Sequence, residues 1–457
     1  MIPAPFLSRM QALLGNEYED FLAALNSPDT HALRTNTVKT TPEALLPLLP
    51  FTPEPLPFLT GAYLIPDGER AGAHPLHHAG AYYMQDPSAM ATVAALPFPI
   101  TGWRVLDLCA APGGKTTQLA AAVGEGGLVV SNEIVRNRAQ ALLSNVERMG
   151  LTNTVVMNTD PAGIAALFDR YFDLVVVDAP CSGEGMLRKY PSAAEEWSEE
   201  GVRAAAARAR LILEDAVRTV KEGGYLLFST CTFSEEENEE TVTTFLAAHP
   251  DFSLCPVAPA VAAVTADGIP RAHRPKEITT ARRFYPHLSA GEGQFLALMQ
   301  RTAGGVGGLT YREGGKKAER GKSPALTESA IRAAVSEVID LPEGRLFSAG
   351  ENLFLLPDLP LPPHGLLRAG VALGTLTGRL YVPHHHAASA LGKRFRFWLS
   401  LSPTDPLLTE YLRGAEIPAP AALRGFTAIH VSGIPLGLCK CSQSRAKNHY
   451  PKGLRMV

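Results

Sequence analysis

The sequence contains little cysteine, only six residues in a chain of 457. This is too sparse for the dense disulfide framework that stabilises many small secreted proteins. The N-terminus also lacks the basic stretch followed by an apolar stretch that marks a signal peptide. We therefore expect a cytoplasmic protein whose thiols are reduced.

Long apolar runs and a strong excess of one charge are also missing. No run of 18 uncharged apolar residues occurs, so the sequence predicts no membrane-spanning helix. Forty-two Lys and Arg residues against 45 Asp and Glu residues give a formal charge of -3, which excludes an overall polycation. Contact with nucleic acid would need locally grouped basic residues. Residues 440–457 are such a group, because they contain five Lys or Arg residues and no acid. Taken alone, this tail could equally be a solvated terminus.

The length predicts several domains, since one hydrophobic core rarely organises so long a chain. Residues 1–99 combine a helical pattern of apolar side chains with a Pro-rich stretch, which indicates a small N-terminal α+β accessory domain. Residues 302–322 are rich in Gly and charge and are predicted to be a flexible linker. Two small C-terminal modules are expected at 323–380 and 381–457.

Residues 100–301 alternate short β-rich runs with Ala-rich helical runs, the pattern of a doubly wound α/β domain. The predicted strands span 104–108, 127–132, 154–158, 174–177 and 225–229, with 295–299 as a late edge strand. The predicted helices span 116–123, 136–149 and 202–220.

A loop of small residues follows the first of these strands and leads into a helix. Its glycines would let the backbone approach a ligand, and the helix amides would attract an anion. The end of the loop resembles a phosphate-binding P-loop, but that motif requires Gly where Cys109 stands. A purely structural turn is the other alternative.

Acidic residues follow the second and third strands. Glu133 lies about 20 residues beyond the glycine loop, the usual position of the acid that binds ribose hydroxyls in Rossmann-like sites. Asp160 could meet the edge of an adenine. Either acid alone could be a solvated loop residue, but their common place at the carboxyl edge of the sheet favours binding.

Cysteines follow the fourth and fifth strands. Cys181 and Cys231 both stand among Pro, Ser, Thr and Gly residues, and the carboxyl ends of parallel strands meet at one crevice. Two thiols at a ligand-binding edge indicate covalent catalysis, because a thiolate is a strong nucleophile near neutral pH. The other four cysteines are interpreted as small hydrophobic residues. The Cys439/Cys441 pair lacks a second matching pair, so no metal site is predicted.

Three long strings carry a family resemblance: residues 107–116 (DLCAAPGGKT), 178–185 (DAPCSGEG) and 229–239 (STCTFSEEENE). They resemble the NOL1/NOP2/Sun family of RNA cytosine-5 methyltransferases, and most closely its bacterial RsmF-like branch, which modifies 16S ribosomal RNA. Residues 33–37 and 83–88 resemble the N-terminal signature and the approach to the catalytic domain in that family. Residues 435–455 are similar to a PUA-like RNA-binding domain, here expected at 381–457.

The resemblance implies a Rossmann-like methyltransferase domain with S-adenosylmethionine as cofactor. Cys231 would be the nucleophile that adds to C6 of cytosine, so that C5 can accept a methyl group. Cys181 would assist release of the product, although DNA cytosine methyltransferases use the cysteine in the Pro-Cys position as the nucleophile. Asp178 would meet the N3/N4 edge of the base.

The same resemblance implies a cofactor pocket and a set of partners. The residues expected to line the pocket are Cys109, Ala110, Ala111, Pro112, Gly113, Gly114, Lys115, Glu133, Arg138, Asp160 and Asp178. The expected partner is RNA, either small-subunit ribosomal RNA or the small ribosomal subunit, and neither DNA nor a membrane. A monomer is expected. The triplet His384 to His386 could be a surface turn, a metal ligand or an RNA contact.

Other functions remain open at this point. The same fold could methylate a small molecule or a protein, although such reactions need no thiol nucleophile. A non-catalytic ribosome-assembly factor that binds S-adenosylmethionine and RNA is a second alternative, which the intact cysteines and glycine loop disfavour.

Overall fold

The computed structural model describes residues 2–302, 310–311, 326–359, 362 and 364–456. Most of the predicted linker 302–322 therefore lies outside the described residues. Within the described part, no helix is both long and apolar enough to cross a membrane.

The N-terminal region begins with two amphipathic helices and continues as a small antiparallel sheet. Its elements are α1 (Ala4–Leu14), α2 (Tyr18–Leu25), β1 (Ala32–Thr35), α3 (Pro42–Leu45), β2 (Glu54–Pro55), β3 (Ala62–Leu64), α4 (Pro75–His78), β4 (Tyr82–Met84) and α5 (Pro87–Ala94). The sheet order is β2-β3-β1-β4. Phe6, Met10 and Phe21 are buried against Phe233 and Tyr285, so the predicted apolar stripe packs on the central α/β domain.

The central region alternates strands and helices as predicted. Its elements are β5 (Arg104–Asp107), α6 (Gly114–Val123), β6 (Leu128–Asn132), α7 (Arg136–Met149), β7 (Thr154–Met157), α8 (Pro161–Leu167), β8 (Phe168–Asp169), β9 (Phe172–Asp178), α9 (Pro191–Glu196), α10 (Glu199–Ala216), β10 (Val220–Thr230), α11 (Glu239–Ala248), β11 (Phe252–Cys255), α12 (Pro259–Ala262), β12 (Ala266–Asp267), β13 (Arg282–Phe284), β14 (Gln294–Arg301) and β15 (Thr310–Tyr311). Strands β10, β9, β5, β6 and β7 are parallel neighbours in that order. Their carboxyl ends form one edge, where ligands bind in such sheets.

Two predictions in this region were wrong. The strand at 295–299 is not an edge strand, because β14 pairs with β10 on one side and with β13 and β11 on the other. Its run of fully buried apolar side chains is suited to such an interior position. The helix predicted at 202–220 does form, but its bounds were wrong: it begins at Glu199, it continues beyond Ala216 only as a 3-10 turn (Val217–Thr219), and Val220 already belongs to β10.

The C-terminal region contains two further sheets. Its elements are α13 (Glu328–Val335), β16 (Arg345–Ala349), β17 (Asn352–Leu356), β18 (Leu366–Ala369), β19 (Val371–Thr377), β20 (Leu380–Pro383), α14 (His385–Leu391), β21 (Trp398–Leu401), α15 (Pro406–Arg413), β22 (Ile417–Pro418), β23 (Gly425–Val431), β24 (Ile434–Ser442) and β25 (Arg445–Asn448). The sheet orders are β16-β17-β19-β20 and β21-β23-β24-β25-β22. Strand β18 instead pairs with β7 and extends the central sheet.

The predicted boundary between residues 380 and 381 falls inside β20. Because β20 pairs with β19 from Leu380 to Pro383, this strand belongs entirely to the first C-terminal sheet. A strand cannot be divided between modules when its ladder of hydrogen bonds lies in one sheet. The module boundary must therefore lie beyond Pro383.

The histidine triplet does not form a surface turn. His385 and His386 are buried at the start of α14. The ring of His386 lies between the amide of Ala372 and the carbonyl of Leu151, at 3.4 and 3.2 Å. Burial lowers the pKa of His385 to about 3, so these rings serve packing in their neutral form.

Candidate active site

The glycine loop between β5 and α6 forms one wall of the site. Gly113 has a φ of +113°, which favours glycine, and it directly precedes the first residue of α6. At Gly114 a Cβ atom would lie only 3.0 Å from the side chain of Gln85. The loop can therefore pack closely against the segment that follows β4.

Asp107, at the end of β5, lies under this loop. Its Oδ2 accepts a hydrogen bond from Thr116 Oγ1 at 2.7 Å, which joins the strand to the start of α6. Burial raises the pKa of this carboxyl to about 7. Its Oδ1 is buried and has no protein partner among the described residues.

A cavity of about 610 Å³ opens beside this loop. Its wall includes most of the predicted site residues: Cys109, Ala110, Ala111, Pro112, Gly114, Lys115, Arg138, Asp178 and Cys231. Four other predicted residues, Gly113, Glu133, Asp160 and Cys181, are not among the described residues in its wall.

These four residues lie behind the wall or beside it. Glu133 is buried, accepts a hydrogen bond from the Val135 amide and lies 3.5 Å from Arg138. Arg138 in turn donates to the carbonyl of Ala111 in the loop. Asp160 caps the N-terminus of α8 by accepting from the Gly163 amide at 2.6 Å.

Asp178 is held by donors on three elements. Its Oδ2 lies 2.8 Å from the Lys115 ammonium. Its Oδ1 accepts from Ser229 Oγ at 2.7 Å and from Gln294 Nε2 at 3.2 Å. The carboxylate is thereby fixed at the cavity wall, where an incoming group can meet it.

The two cysteines after β9 and β10 face each other. Cys181 Sγ lies 3.3 Å from Cys231 Sγ, so the structure brings the two predicted thiols together, although only Cys231 lines the cavity. The hydrogen bond to Cys231, followed by burial and the charge of Cys231, raises the pKa of Cys181 well above its usual value. Burial acts to lower the pKa of Lys115, but the charge of Asp178 and its hydrogen bond, followed by the charge of Cys231, raise it above its usual value. This arrangement favours a thiol at Cys181.

Other residues of the cavity wall were not selected as site residues from the sequence. They are His31, Ala32, Tyr83, Met84, Gln85, Asp86, Ser88, Ala89, Asp107, Met186, Lys189, Tyr190, Gly293 and Gln294. The Asp-Pro-Ser string at 86–88 is a helix-start signal, and Asp86 does cap α5. The position of Gln294 was not recognisable, because it depends on the pairing of β14 with β10.

Three models of known protein families match the chain. Residues 97–300 match "16S rRNA methyltransferase RsmB/F", residues 2–87 match "N-terminal domain of 16S rRNA methyltransferase RsmF", and residues 399–456 match "Methyltransferase RsmF PUA domain". The ribosomal RNA small subunit methyltransferase F of Cronobacter sakazakii is 32% identical, over 99% of this chain and 96% of the relative. Its namesake from Klebsiella pneumoniae is 31% identical over the same shares. The chain belongs to the RsmF family of 16S rRNA methyltransferases.

A solved structure supports the fold of this RsmF family member. A methyltransferase homolog protein from Pyrococcus horikoshii superposes with a TM-score of 0.56 at 25% identity, over 65% of this chain and 100% of that one. The predicted Rossmann-like methyltransferase fold and the C-terminal PUA domain are thus confirmed, as is the family resemblance.

Members of the RsmF family use S-adenosylmethionine as cofactor. The residues of this chain fit that group. Gln85 Oε1, Asp86 Oδ2 and Asp107 Oδ1 are buried oxygens without a protein partner among the described residues, and all three residues line the cavity. Such acceptors suit the amine and hydroxyl donors of the cofactor. The N-terminus of α6 suits its carboxylate.

Proposed function

We propose that this chain methylates carbon 5 of a cytosine in small-subunit ribosomal RNA, through a covalent bond between Cys231 and C6 of the base. The observation that carries the proposal is the pair of thiols 3.3 Å apart, one of which lines the cavity beside Lys115 and Asp178. Methyl transfer to oxygen or nitrogen needs no such pair, whereas an unactivated pyrimidine carbon does need a nucleophile at its neighbouring atom.

The first role belongs to Cys231. Its thiolate adds to C6, and the electron pair of the C5=C6 bond moves towards C5, which becomes nucleophilic. Asp178, oriented by Lys115 and Gln294, would contact the N3/N4 edge of the base and stabilise the charge that develops there. When bound, S-adenosylmethionine supplies the methyl group.

The second role belongs to Cys181. While Cys231 is free, its hydrogen bond and charge raise the pKa of Cys181. Once the Cys231 sulfur is bonded to C6 it is uncharged, so this influence disappears and Cys181 can lose its proton more readily. The Cys181 thiolate then takes the C5 proton, the C5=C6 bond forms again, and the Cys231 sulfur leaves as thiolate. If Cys181 were the nucleophile and Cys231 the base, this dependence of the Cys181 pKa on the state of Cys231 would have no role in the reaction.

The cofactor would be held by the loop and the acids around it. Cys109, Ala110, Ala111, Pro112, Gly113, Gly114 and Lys115 would surround it, with Glu133, Arg138, Asp160 and Asp178 at its polar ends. Because Glu133 and Asp160 are not in the cavity wall, their contacts require that their side chains turn towards the ligand.

The substrate class follows from the accessory domains. Both the N-terminal domain and the PUA domain match RsmF-specific family models, and we propose that they hold ribosomal RNA while an unpaired or flipped cytosine enters the cavity. The chain itself supplies these surfaces, so we expect it to act as a monomer.

Three cysteine variants test the proposal. We expect Cys231→Ser to lose at least about a thousandfold in turnover, because a hydroxyl is a far weaker nucleophile than a thiolate. Cys181→Ala should instead form a denaturant-stable complex of protein and RNA. Cys255→Ala, in β11, is the matched control and should retain turnover. Near-normal turnover of Cys231→Ser would contradict the mechanism.

A further inference from the structure

Each cysteine loop carries one fully buried acid. Glu184 follows Cys181 by three residues, Glu237 follows Cys231 by six, and each of the two acids is only 1% exposed. Isolated buried carboxylates are costly, so both must have partners. Each acid has partners on the opposite cysteine loop.

Glu237 reaches across to the residue after Cys181. Its Oε1 accepts from the Ser182 amide at 2.7 Å, and its Oε2 lies 2.6 Å from Ser182 Oγ. The same Oε2 lies 3.1 Å from the hydroxyl of Thr232, which follows Cys231. One carboxyl group therefore contacts the immediate neighbours of both cysteines.

Glu184 makes the corresponding link in the other direction. Its Oε2 lies 2.9 Å from Thr232 Oγ1 and accepts from the Phe233 amide at 3.0 Å. Its Oε1 accepts from the Trp197 indole at 3.1 Å. The amide of Gly185 also donates to the carbonyl of Cys231 at 2.9 Å.

The hydroxyls of this cluster supply too few protons for its contacts. Ser182 and Thr232 contact each other at 2.9 Å, Ser182 contacts Glu237, and Thr232 contacts both carboxyl groups. These are four oxygen pairs, but two hydroxyls supply only two protons. A proton on one carboxyl group would satisfy a third pair.

We propose that Glu184 and Glu237 are a positioning pair for the two cysteines, that they hold one shared proton, and that Glu237 sets how readily Cys181 releases the product. This inference rests on the proposed function, since it assigns the pair to the release step. Neither acid is among the described residues of the cavity wall, so both act through the cysteine loops.

The charge of Glu237 supports this role. Burial raises the pKa of Glu237 to about 7, with Glu184 as a further negative neighbour. The charge of Glu237 in turn raises the pKa of Cys181. Arg9 is a further charged group near the pair; its positive charge acts to lower the pKa of Glu184, which burial raises. Protonation of the pair therefore eases ionisation of Cys181.

The test compares Glu237→Gln with Glu236→Gln in the full-length protein. Glu236 is the adjacent acid, but it is partly exposed and pairs with Arg9. Single-turnover assays with ribosomal RNA would measure released product and the denaturant-stable protein–RNA complex. We expect Glu237→Gln to speed release by about tenfold, because loss of the negative charge lowers the pKa of Cys181 by roughly one unit. The KM for RNA should stay unchanged, and Glu236→Gln should match the wild type.

Two further measurements separate this role from a purely structural one. In the Cys231→Ser background, the pH midpoint for alkylation of Cys181, read by peptide mass spectrometry, should fall when Glu237 is replaced by Gln. In the Cys181→Ala background, Glu237→Gln should not change the amount of denaturant-stable protein–RNA complex any further, because both substitutions act on the release step. Ser182→Ala, which keeps the carboxylate, provides a second variant and should change the release rate less than Glu237→Gln does.

The outcomes distinguish the inference from the proposed function. If the cysteine variants behave as expected but Glu237→Gln matches the wild type in release and in the alkylation midpoint, the inference is wrong and the proposed function stands. A higher KM with an unchanged alkylation midpoint would also overturn it, since only structure would be affected. Normal turnover of Cys231→Ser would refute the proposed function itself.

Discussion

At Cys181, the surroundings rather than the residue type decide the chemistry. The thiol contacts Cys231, and the buried Glu237 acts on it through its negative charge. Each neighbour disfavours the thiolate, so in the proposed mechanism Cys181 stays protonated until the Cys231 sulfur is bonded to the base. A cysteine of ordinary pKa at this position would compete with Cys231 for the base.

The raised pKa of Glu237 predicts how stability depends on pH. Burial raises this pKa from 4.5 to about 7 in the folded protein. Between pH 4.5 and pH 7 the folded state therefore binds a proton that the unfolded state lacks. The free energy of unfolding should therefore fall as pH rises from 4.5 to 7, by at most about 1.4 kcal/mol per unit from this group. Asp107 should act in the same direction.

Urea denaturation between pH 5 and 8 checks this prediction. Glu237→Gln should lose less stability over that range than the wild type, because its amide cannot titrate. Glu19→Gln, at an exposed acid of α2, should follow the wild-type curve. Parallel curves for all three proteins would refute the assignment.

The site residues that the sequence located most clearly are those that directly follow a predicted strand. Asp178 and Cys231 could be located because parallel strands bring their carboxyl ends to one edge. The roles of Glu184 and Glu237 could not be predicted. Their contacts join two loops, and the sequence of one loop does not show that the other lies against it. The cofactor roles of Glu133 and Asp160 stay predictions.

At the scale of elements, the local sequence pattern predicted a helix or strand correctly where the residues of that element alone determine its bounds. Helix α7 begins and ends at the predicted residues, because its amphipathic stripe ends at Gly150 in a left-handed cap. The interior position of β14 and the presence of β18 in the central sheet were not predicted. Both depend on pairing with strands far away in the sequence, which the residues of one strand do not indicate. His386 was misjudged for the same reason, as its partner Leu151 is 235 residues away.

The connection from β18 to β19 gives an element-scale prediction. Gly370 has a φ of +56°, and a Cβ atom there would lie only 2.1 Å from the carbonyl oxygen of Leu355. Gly378 has a similar φ of +62° but open space around it. We expect Gly378→Ala to cost about 1 kcal/mol from backbone strain and Gly370→Ala at least twice as much. Equal losses of unfolding free energy would contradict this explanation.

At the scale of the whole molecule, one buried lysine joins all parts of the chain. Lys39 Nζ lies 2.8 to 3.0 Å from four oxygens, the carbonyls of Ala79, Arg148 and Pro435 and the hydroxyl of Ser389, and can donate to three of them at a time. These acceptors lie in the N-terminal domain, the catalytic domain, the PUA domain and helix α14. The relative placement of the N-terminal domain, the catalytic domain and the PUA domain therefore depends on this side chain.

Replacement of Lys39 by Met should loosen that placement. We expect a loss of roughly 3 kcal/mol in stability, because buried acceptors lose their donor. The KM for RNA should rise more than kcat falls, since the active site itself is untouched. Thermal melting, limited proteolysis and steady-state assays would show this, with the exposed Lys276→Met as control. Unchanged melting and proteolysis would refute the role of Lys39.

Transfer of labelled methyl from S-adenosylmethionine to small-subunit ribosomal RNA, followed by bisulfite sequencing, tests the central claim most directly. The proposed function predicts a discrete cytosine that becomes protected with the wild type and stays unprotected with Cys231→Ala. Methylation that persists in Cys231→Ala, or that falls on an atom other than C5, would contradict it.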